Sequence, residues 1–125
     1  RGLHIDRRRD GEKKMMKTVY FSHPFTGNEE ENKKRARNYC RELAMVFPNV
    51  LFINPLDSFQ YMDTGIWTYD QVMQKCLKLM LMCDAVLMGP EWETSKGCHI
   101  EYMTAKNKMK VFQDTGELAK WIKAE

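Results

Sequence analysis

The feature that most constrains the fold is the alternation of short apolar segments with longer segments that have helical periodicity. The apolar segments are rich in β-branched and aromatic residues and end in turn-forming residues, which is typical of strands. They comprise residues 18–21, 50–53, 85–88 and 110–113. Strands separated by helices at this spacing need right-handed crossovers, so they predict a parallel sheet covered on both faces.

Helical signals fill the intervals between these strands. Asn28 is a candidate N-cap for a helix to about residue 47, and Thr68 begins a predicted capping box for a helix to about residue 82. Ser95 is the candidate N-cap of a helix to about residue 109, and a short helix follows near the end of the chain. The helix at 68–82 is apolar nearly all round, so we expect it to be largely buried.

These elements fit an α/β fold, a flavodoxin-like three-layer sandwich with four to five parallel strands in the order 2-1-3-4. In such sheets, ligands bind beyond the carboxyl ends of the strands, at the switch point between strands 1 and 3. The loops at that place are residues 22–27 and 89–95. The topology alone therefore predicts where a site should lie.

Composition and charge narrow the class of protein. The 125 residues are 43% hydrophobic and 30% charged, which indicates one globular domain, and no apolar run is long enough to cross a membrane. The net charge of +3 comes from residues 1–18, which carry seven basic against three acidic residues. We expect residues 1–16 to be a flexible tail or a cloning remnant, and residues 17–125 to be a nearly neutral domain that binds no nucleic acid.

Cysteine and glycine patterns exclude several kinds of site. The four cysteines form no C-x-x-C pair and have no regular spacing to the histidines, so neither zinc nor disulfides are indicated. No G-x-G-x-x-G or Walker A sequence occurs, which disfavours Rossmann-type dinucleotide binding and P-loop nucleotide binding. We expect no metal and no cofactor, and a reducing, cytoplasmic setting.

Glu101 is the most informative single residue. It lies within the apolar stripe of the helix that Ser95 begins, among four residues of that stripe: Cys98, Tyr102, Ala105 and Met109. A carboxylate on a buried helix face is costly unless it is paired or functional. The pattern leaves two interpretations open: a Glu paired with a hydroxyl or an amide, or a nucleophile or base at the switch point.

The other candidate site residues give less specific evidence for a function than Glu101 does. The Ser95–Gly97 turn provides a hydroxyl and free helix N-terminal amides that can receive a phosphate, although a plain N-cap explains it equally. His23 is weak evidence for a base. Four aromatic residues in the predicted loops suit stacking on a planar base, but each could also be core: Phe25, Tyr61, Trp67 and Trp92.

Two motifs resemble the nucleoside 2-deoxyribosyltransferase superfamily. The first is the strand and loop of residues 17–27, with the sequence KTVYFSHPFTG. The second is CDAV at residues 83–86, followed by Gly89-x-x-Trp92-x-x-Ser95-x-Gly97-x-x-x-Glu101. The similarity covers residues 17–113, and both motifs at this separation are more specific than either alone.

The resemblance implies N-glycosidic bond chemistry on a small-molecule nucleotide or nucleoside. Glu101 matches the family nucleophile, which attacks C1′ and forms a glycosyl-enzyme intermediate, and Tyr20 matches the tyrosine that orients it. Ser95 matches a phosphate-binding serine of the nucleotide hydrolases, which favours a nucleoside 5′-monophosphate hydrolase over a transferase. The resemblance also implies a homodimer or a higher homo-oligomer. The predicted substrate-binding residues are Ser22, His23, Phe25, Gly27, Trp67, Gly89, Trp92, Ser95 and Gly97.

One position departs from the family pattern. The family usually places an Asp eight residues ahead of the Asp that begins strand 3, and here that position is Cys76. Asp70 is our candidate for a third catalytic residue, with Glu93 as an alternative, and Asp84 is expected to be structural. The departure motivates an alternative of another class, a non-catalytic nucleotide-binding module. A flavin-binding relative of flavodoxin is a third possibility.

Overall fold

The computed structural model describes residues 16–62 and 65–124. The predicted basic tail lies outside the described residues except for Met16. Within these ranges the strands are β1 (Lys17–Ser22), β2 (Val50–Ile53), β3 (Ala85–Met88) and β4 (Lys110–Phe112). The helices are α1 (Glu29–Val46), α2 (Pro55–Ser58), α3 (Tyr69–Leu81), α4 (Lys96–Ala105) and α5 (Thr115–Ala124). Two short 3₁₀ turns lie at Gln60–Met62 and Trp92–Thr94.

The strands form an all-parallel sheet in the order β2-β1-β3-β4, which confirms the predicted topology. Alternate side chains of β1 enter different layers because successive residues of a strand point to opposite faces. Val19 and Phe21 pack with α1 and α5. Tyr20 packs on the other face, with residues of α3 and α4. The result is a flavodoxin-like three-layer sandwich with α1 and α5 on one face and α3 and α4 on the other.

Asp84 links the starts of the two central strands, as the sequence predicts. Its carboxylate accepts a hydrogen bond from the backbone N–H of Thr18 at 2.8 Å, and its own N–H donates to the carbonyl oxygen of Thr18 at 2.9 Å. These contacts set the register of β1 against β3. The opposite, carboxyl ends of both strands are thereby aligned.

The caps of α3 and α4 are confirmed, and Asn28 occupies the N-cap position of α1 as predicted. Thr68 and Gln71 form both bonds of the capping box, and the Ser95 hydroxyl oxygen accepts the N–H of Cys98 at 3.2 Å. Asn28 makes no side-chain capping bond. The Glu29 carboxylate accepts the backbone N–H of Gly27, ahead of the cap, at 3.2 Å.

Two further expectations about helices are wrong. Helix α3 is only partly buried: Leu81 is 43% and Met82 70% exposed. The helix lies in an outer layer, so one of its sides meets solvent even where the sequence is apolar. Helix α4 ends at Ala105 rather than near residue 109, because the turn into β4 begins there. None of the helices in the described ranges is long and apolar enough to cross a membrane.

Gly89→Ala is expected to destabilise the protein by about 1–3 kcal/mol, the usual cost of overpacking. A Cβ at this position would lie 2.9 Å from Cζ of the fully buried Phe21 ring and 3.0 Å from the carbonyl oxygen of Ser22. Urea unfolding measures the change. Gly116→Ala is the control, because its Cβ would meet only an exposed Asp114 oxygen, at 3.2 Å. Equal free energies of unfolding for wild type and Gly89→Ala would contradict the prediction.

Candidate functional site

Glu101 is a buried carboxylate that is held by two hydroxyl groups of β1. The side chain is only 5% exposed. The Tyr20 hydroxyl donates to Oε2 at 2.5 Å, and the Ser22 hydroxyl donates to Oε1 at 2.6 Å. Tyr20 and Ser22 are two residues apart on one strand, so both point to the face that α4 covers. The pairing with hydroxyls that the first interpretation predicts is therefore present, and it is compatible with the second interpretation, a nucleophile or base.

Burial and hydrogen bonding shift the pKa of this carboxylate in opposite directions. Burial raises the pKa of Glu101, while the hydrogen bonds from Ser22 and Tyr20 act in the opposite direction by stabilising the charged form. Burial also raises the pKa of Tyr20 well above its ordinary value, and the Glu101 carboxylate raises it further. Tyr20 therefore stays protonated and acts as a donor. Each carboxylate oxygen keeps lone pairs that are free for other contacts.

Glu101 also lines a cavity at the carboxyl end of the sheet. The cavity has a volume of about 440 Å³, within the range of small-molecule sites. It is enclosed by the β1–α1 loop, the start of α1, the α2 region, α3 and the first turns of α4. The lining residues are His23, Phe25, Thr26, Glu29, Glu30, Pro55, Leu56, Met62, Gly65, Trp67, Thr68, Tyr69, Val72, Met73, Cys76, Ser95, Gly97, Cys98 and Glu101.

The mouth of the cavity is aromatic. Trp67 and Tyr69 are 44% and 39% exposed, and Phe25 is half-buried. The Nζ of Lys96 lies 5.1 Å from the centre of the Tyr69 ring, a cation–π distance. The wall opposite is formed by apolar side chains of α3 and the α2 region, including Leu56, Val72 and Met73. The cavity therefore offers flat aromatic surfaces near its mouth and a carboxylate at its wall.

The first turn of α4 forms the polar end of the cavity. Ser95 and Gly97 both line it. A Cβ on Gly97 would lie 3.2 Å from the Tyr69 hydroxyl and 3.5 Å from the Met73 sulfur, so glycine lets α3 and α4 approach closely here. Helix N-terminal amides attract anions. This end of the cavity is the part that suits a negatively charged substituent.

His23 lies between this cavity and a smaller one on the other side of the β1–α1 loop. Its Nδ1 is 2.8 Å from the carbonyl oxygen of Pro24 and so carries the proton of that hydrogen bond. Burial lowers the pKa of His23, and the Pro24 hydrogen bond opposes this effect. The imidazole is therefore neutral at neutral pH, with Nε2 as its acceptor.

Two cysteines accompany Glu101 in the cavity wall. Burial raises the pKa of Cys76 to about 11, and the Glu101 carboxylate raises it further. Burial also raises the pKa of Cys98 to about 11. Both thiols are thus protonated at neutral pH. All four cysteines are free, and no group of three or more His, Cys, Asp or Glu in residues 16–62 and 65–124 could hold a metal ion.

Six of the twelve predicted site residues line the cavity. Tyr20 and Ser22 lie behind this lining, bonded to Glu101, and the other four lie apart from it. Asp70 is exposed on the first turn of α3. Gly27 is exposed and has φ of +110°, which glycine adopts without strain. Gly89 is buried beneath Phe21, and the centre of the Trp92 ring lies 4.8 Å from that of Tyr102, with the two rings tilted by 32°. Gly27, Gly89 and Trp92 therefore belong to the loops around the cavity and do not line it.

Sequence reasoning missed several lining residues, of which Tyr69 is the most prominent. Its hydroxyl lies beside Gly97, and its ring is at the cavity mouth. One signal was present: Tyr69 directly follows the N-cap of α3, on the side of the sheet where ligands bind. For Met73 and Cys98, the sequence pattern predicts only core positions of their helices.

Glu101→Gln is expected to make the stability less dependent on pH. The folded state of wild type holds the Glu101 proton more tightly than the unfolded state, because burial raises this pKa. Wild type therefore loses stability, relative to the variant, as pH rises from the ordinary carboxyl range through the raised pKa. Above it the variant should be more stable, by roughly 1–3 kcal/mol. Thermal unfolding across pH measures the difference, and a difference that does not vary with pH would contradict the prediction.

In the comparison with known proteins, one family model matches the part of the chain that contains the site. A family model described as a domain of unknown function (DUF4406) matches residues 17–113, which include all four strands and every residue of the cavity lining. No curated protein matches the chain.

Proposed function

The chain belongs to the DUF4406 family, and on this premise we propose that it cleaves or transfers the N-glycosidic bond of a nucleoside 5′-monophosphate or nucleoside. The observation that carries the proposal is a carboxylate 5% exposed, held by two hydroxyls, in the wall of a cavity of about 440 Å³. Membership of the nucleoside 2-deoxyribosyltransferase superfamily, which the motifs at 17–27 and 83–101 indicate, is part of the proposal.

In the first step, an oxygen of Glu101 attacks C1′ of the sugar. The C1′–N bond breaks, its electron pair leaves with the base, and a glycosyl ester forms on Glu101. Tyr20 and Ser22 hold the carboxylate in one orientation and, by donating to both oxygens, favour its ionised form against the opposing effect of burial. The transition state has oxocarbenium character, so the negative charge of the carboxylate stabilises it more than it stabilises the ground state.

In the second step, water attacks C1′ and the bond from C1′ to the Glu101 oxygen breaks, which releases the carboxylate and the free sugar or sugar phosphate. One proton of the water neutralises the base anion of the first step. A second base in place of water gives transfer. The aromatic residues at the mouth are suited to hold the base by stacking, and the first turn of α4 is suited to hold a 5′-phosphate through Ser95 and helix N-terminal amides. In this arrangement, backbone amides and one hydroxyl bind the phosphate, and no basic patch is needed.

Release of free base is the test. The protein is incubated with ribo- and deoxyribonucleosides and their 5′-monophosphates, and the free base is measured by chromatography, with and without a second base as acceptor. We expect base release from at least one substrate. If no substrate of this panel releases base, the glycosidase proposal is wrong.

A second candidate, a non-catalytic nucleotide-binding module, is favoured by Cys76. A thiol with a pKa of about 11 in the cavity wall does not replace a carboxylate as an acid or base. The module predicts that nucleotides raise the melting temperature without any release of base during long incubation. Base release that depends on Glu101 excludes it.

We also propose that the protein is a cytoplasmic homodimer or larger homo-oligomer, in which a neighbour covers the cavity mouth. Large apolar side chains are exposed there: Tyr61 is 65%, Ile66 76% and Trp67 44% exposed. Exposed apolar clusters of this kind mark binding surfaces. Light scattering gives the oligomeric state, and Ile66→Asp should shift it toward the monomer.

A further inference from the structure

The described lining of the cavity carries acidic side chains and no basic ones. Three Glu residues line it, and none of its described lining residues is Lys or Arg. Glu29 and Glu30 lie at the exposed start of α1, and Glu30 also pairs with Lys33 at 3.5 Å. Glu101 is the buried member of the three. Lys96 is the nearby cation, and it lies over the Tyr69 ring.

The aromatic residues at the mouth add to this preference. Phe25, Trp67 and Tyr69 line the same cavity as the three Glu residues. Aromatic rings attract cations as well as flat heterocycles. The position of Lys96 over Tyr69 is itself an example of that attraction. A flat ring with a positive charge therefore matches this cavity better than a neutral ring of the same size.

The thiols, the imidazole and the Tyr69 hydroxyl of the described lining are weak proton donors for a departing base, since burial raises the pKa of Tyr69 as well. The Cys76 and Cys98 thiols have pKa values of about 11. The Tyr20 hydroxyl donates to Glu101, and His23 is neutral, with its Nδ1–H donating to the Pro24 carbonyl oxygen. A neutral base leaves as an anion unless an acid protonates it. The site therefore suits a leaving group that needs no proton.

We propose that the substrates are nucleosides or nucleotides whose base carries a positive charge, such as N7-alkylated purines or pyridinium rings. The inference rests on the proposed function and names its substrate class. Attack by Glu101 on C1′ forms the glycosyl ester, and the C1′–N electron pair neutralises the cationic ring, which departs as a neutral base. Water then hydrolyses the ester, so the products are the free sugar, the neutral base and one proton.

Two matched pairs of compounds test the inference on the wild-type protein. The first pair is N7-methylguanosine and guanosine, whose rates of base release are each divided by the spontaneous rate under the same conditions. The second pair is 1-methylnicotinamide and nicotinamide, which have no glycosidic bond and report binding alone by calorimetry. We expect N7-methylguanosine to exceed guanosine by about tenfold or more after this correction, because cation–π and carboxylate contacts favour it.

In the binding pair, 1-methylnicotinamide should have a Kd about tenfold lower than nicotinamide. This preference should fall to a few-fold in Glu101→Gln and persist in Glu117→Gln, an exposed residue of α5. Corrected rates for guanosine that equal those for N7-methylguanosine would overturn the substrate class and leave the proposed function standing. Absence of base release from both nucleosides and from the wider panel would refute the proposed function itself. Equal Kd values for 1-methylnicotinamide and nicotinamide would overturn the preference for a positively charged ring, whether or not any nucleoside releases its base.

Discussion

Glu101→Gln is expected to lower the rate of base release by at least about 10³-fold, as for the loss of a covalent nucleophile. Gln is nearly isosteric with Glu and can still contact Tyr20 and Ser22, so the cavity keeps its shape. It cannot form the glycosyl ester at a useful rate. Single-turnover base release with the best substrate of the panel measures the loss, and the melting temperature of the variant shows that it is folded.

Glu117→Gln provides the matched control for this loss. It makes the same chemical change on an exposed part of α5, where Glu117 makes only a 3.5 Å ion pair with Lys120. Such pairs contribute little to stability. Its base release should equal that of wild type. A Glu101→Gln protein that is folded and releases base at the wild-type rate would show that Glu101 is only a structural residue.

Tyr20→Phe and Ser22→Ala are expected to lower base release by about 10- to 100-fold at mildly acidic pH, the cost of a hydrogen bond to a charged group. Both hydroxyls stabilise the ionised form of Glu101 and so lower its pKa against the effect of burial. Without either of them the pKa rises. Since the nucleophile must be ionised, the acid limb of the pH–rate profile should move to higher pH in both variants.

The control for this pH shift is Tyr102→Phe. Tyr102 is a half-buried tyrosine of α4 that packs against Trp92 and lies outside the cavity lining. Removing its hydroxyl should leave the acid limb unchanged. An unchanged acid limb in Tyr20→Phe and Ser22→Ala would mean that the carboxylate they hold is not the group whose ionisation limits the reaction.

Sequence reasoning was sufficient for the architecture because the signals are local. Strand composition, the capping box at Thr68 and the cap at Ser95 each depend on neighbouring residues. The parallel order followed from crossover geometry. Glu101 was found by helical periodicity, because a carboxylate within an apolar stripe is rare. Its contact with Tyr20, 81 residues away in the sequence, came only from the resemblance, since no local pattern fixes which strand residue meets which helix residue.

The features that sequence reasoning missed depend on tertiary packing. Asp70 is predicted as a substitute for the family Asp that Cys76 replaces, but the rotation of α3 leaves it exposed. That rotation instead points Cys76 and Met73 toward the cavity. Trp92 was expected to contact a ligand, but it packs on α4 next to Tyr102. A small change in the rotation of a helix or in the path of a loop decides whether each of these side chains faces the cavity.

Direct detection of the glycosyl-enzyme intermediate tests the central claim. The protein is mixed with the best substrate of the panel, quenched in acid within one turnover, and digested for peptide mapping by mass spectrometry. The account predicts the mass of one sugar or sugar phosphate on the peptide that contains Glu101, with no such adduct in Glu101→Gln. Base release by wild type with no adduct on that peptide, together with undiminished release by Glu101→Gln, would contradict it.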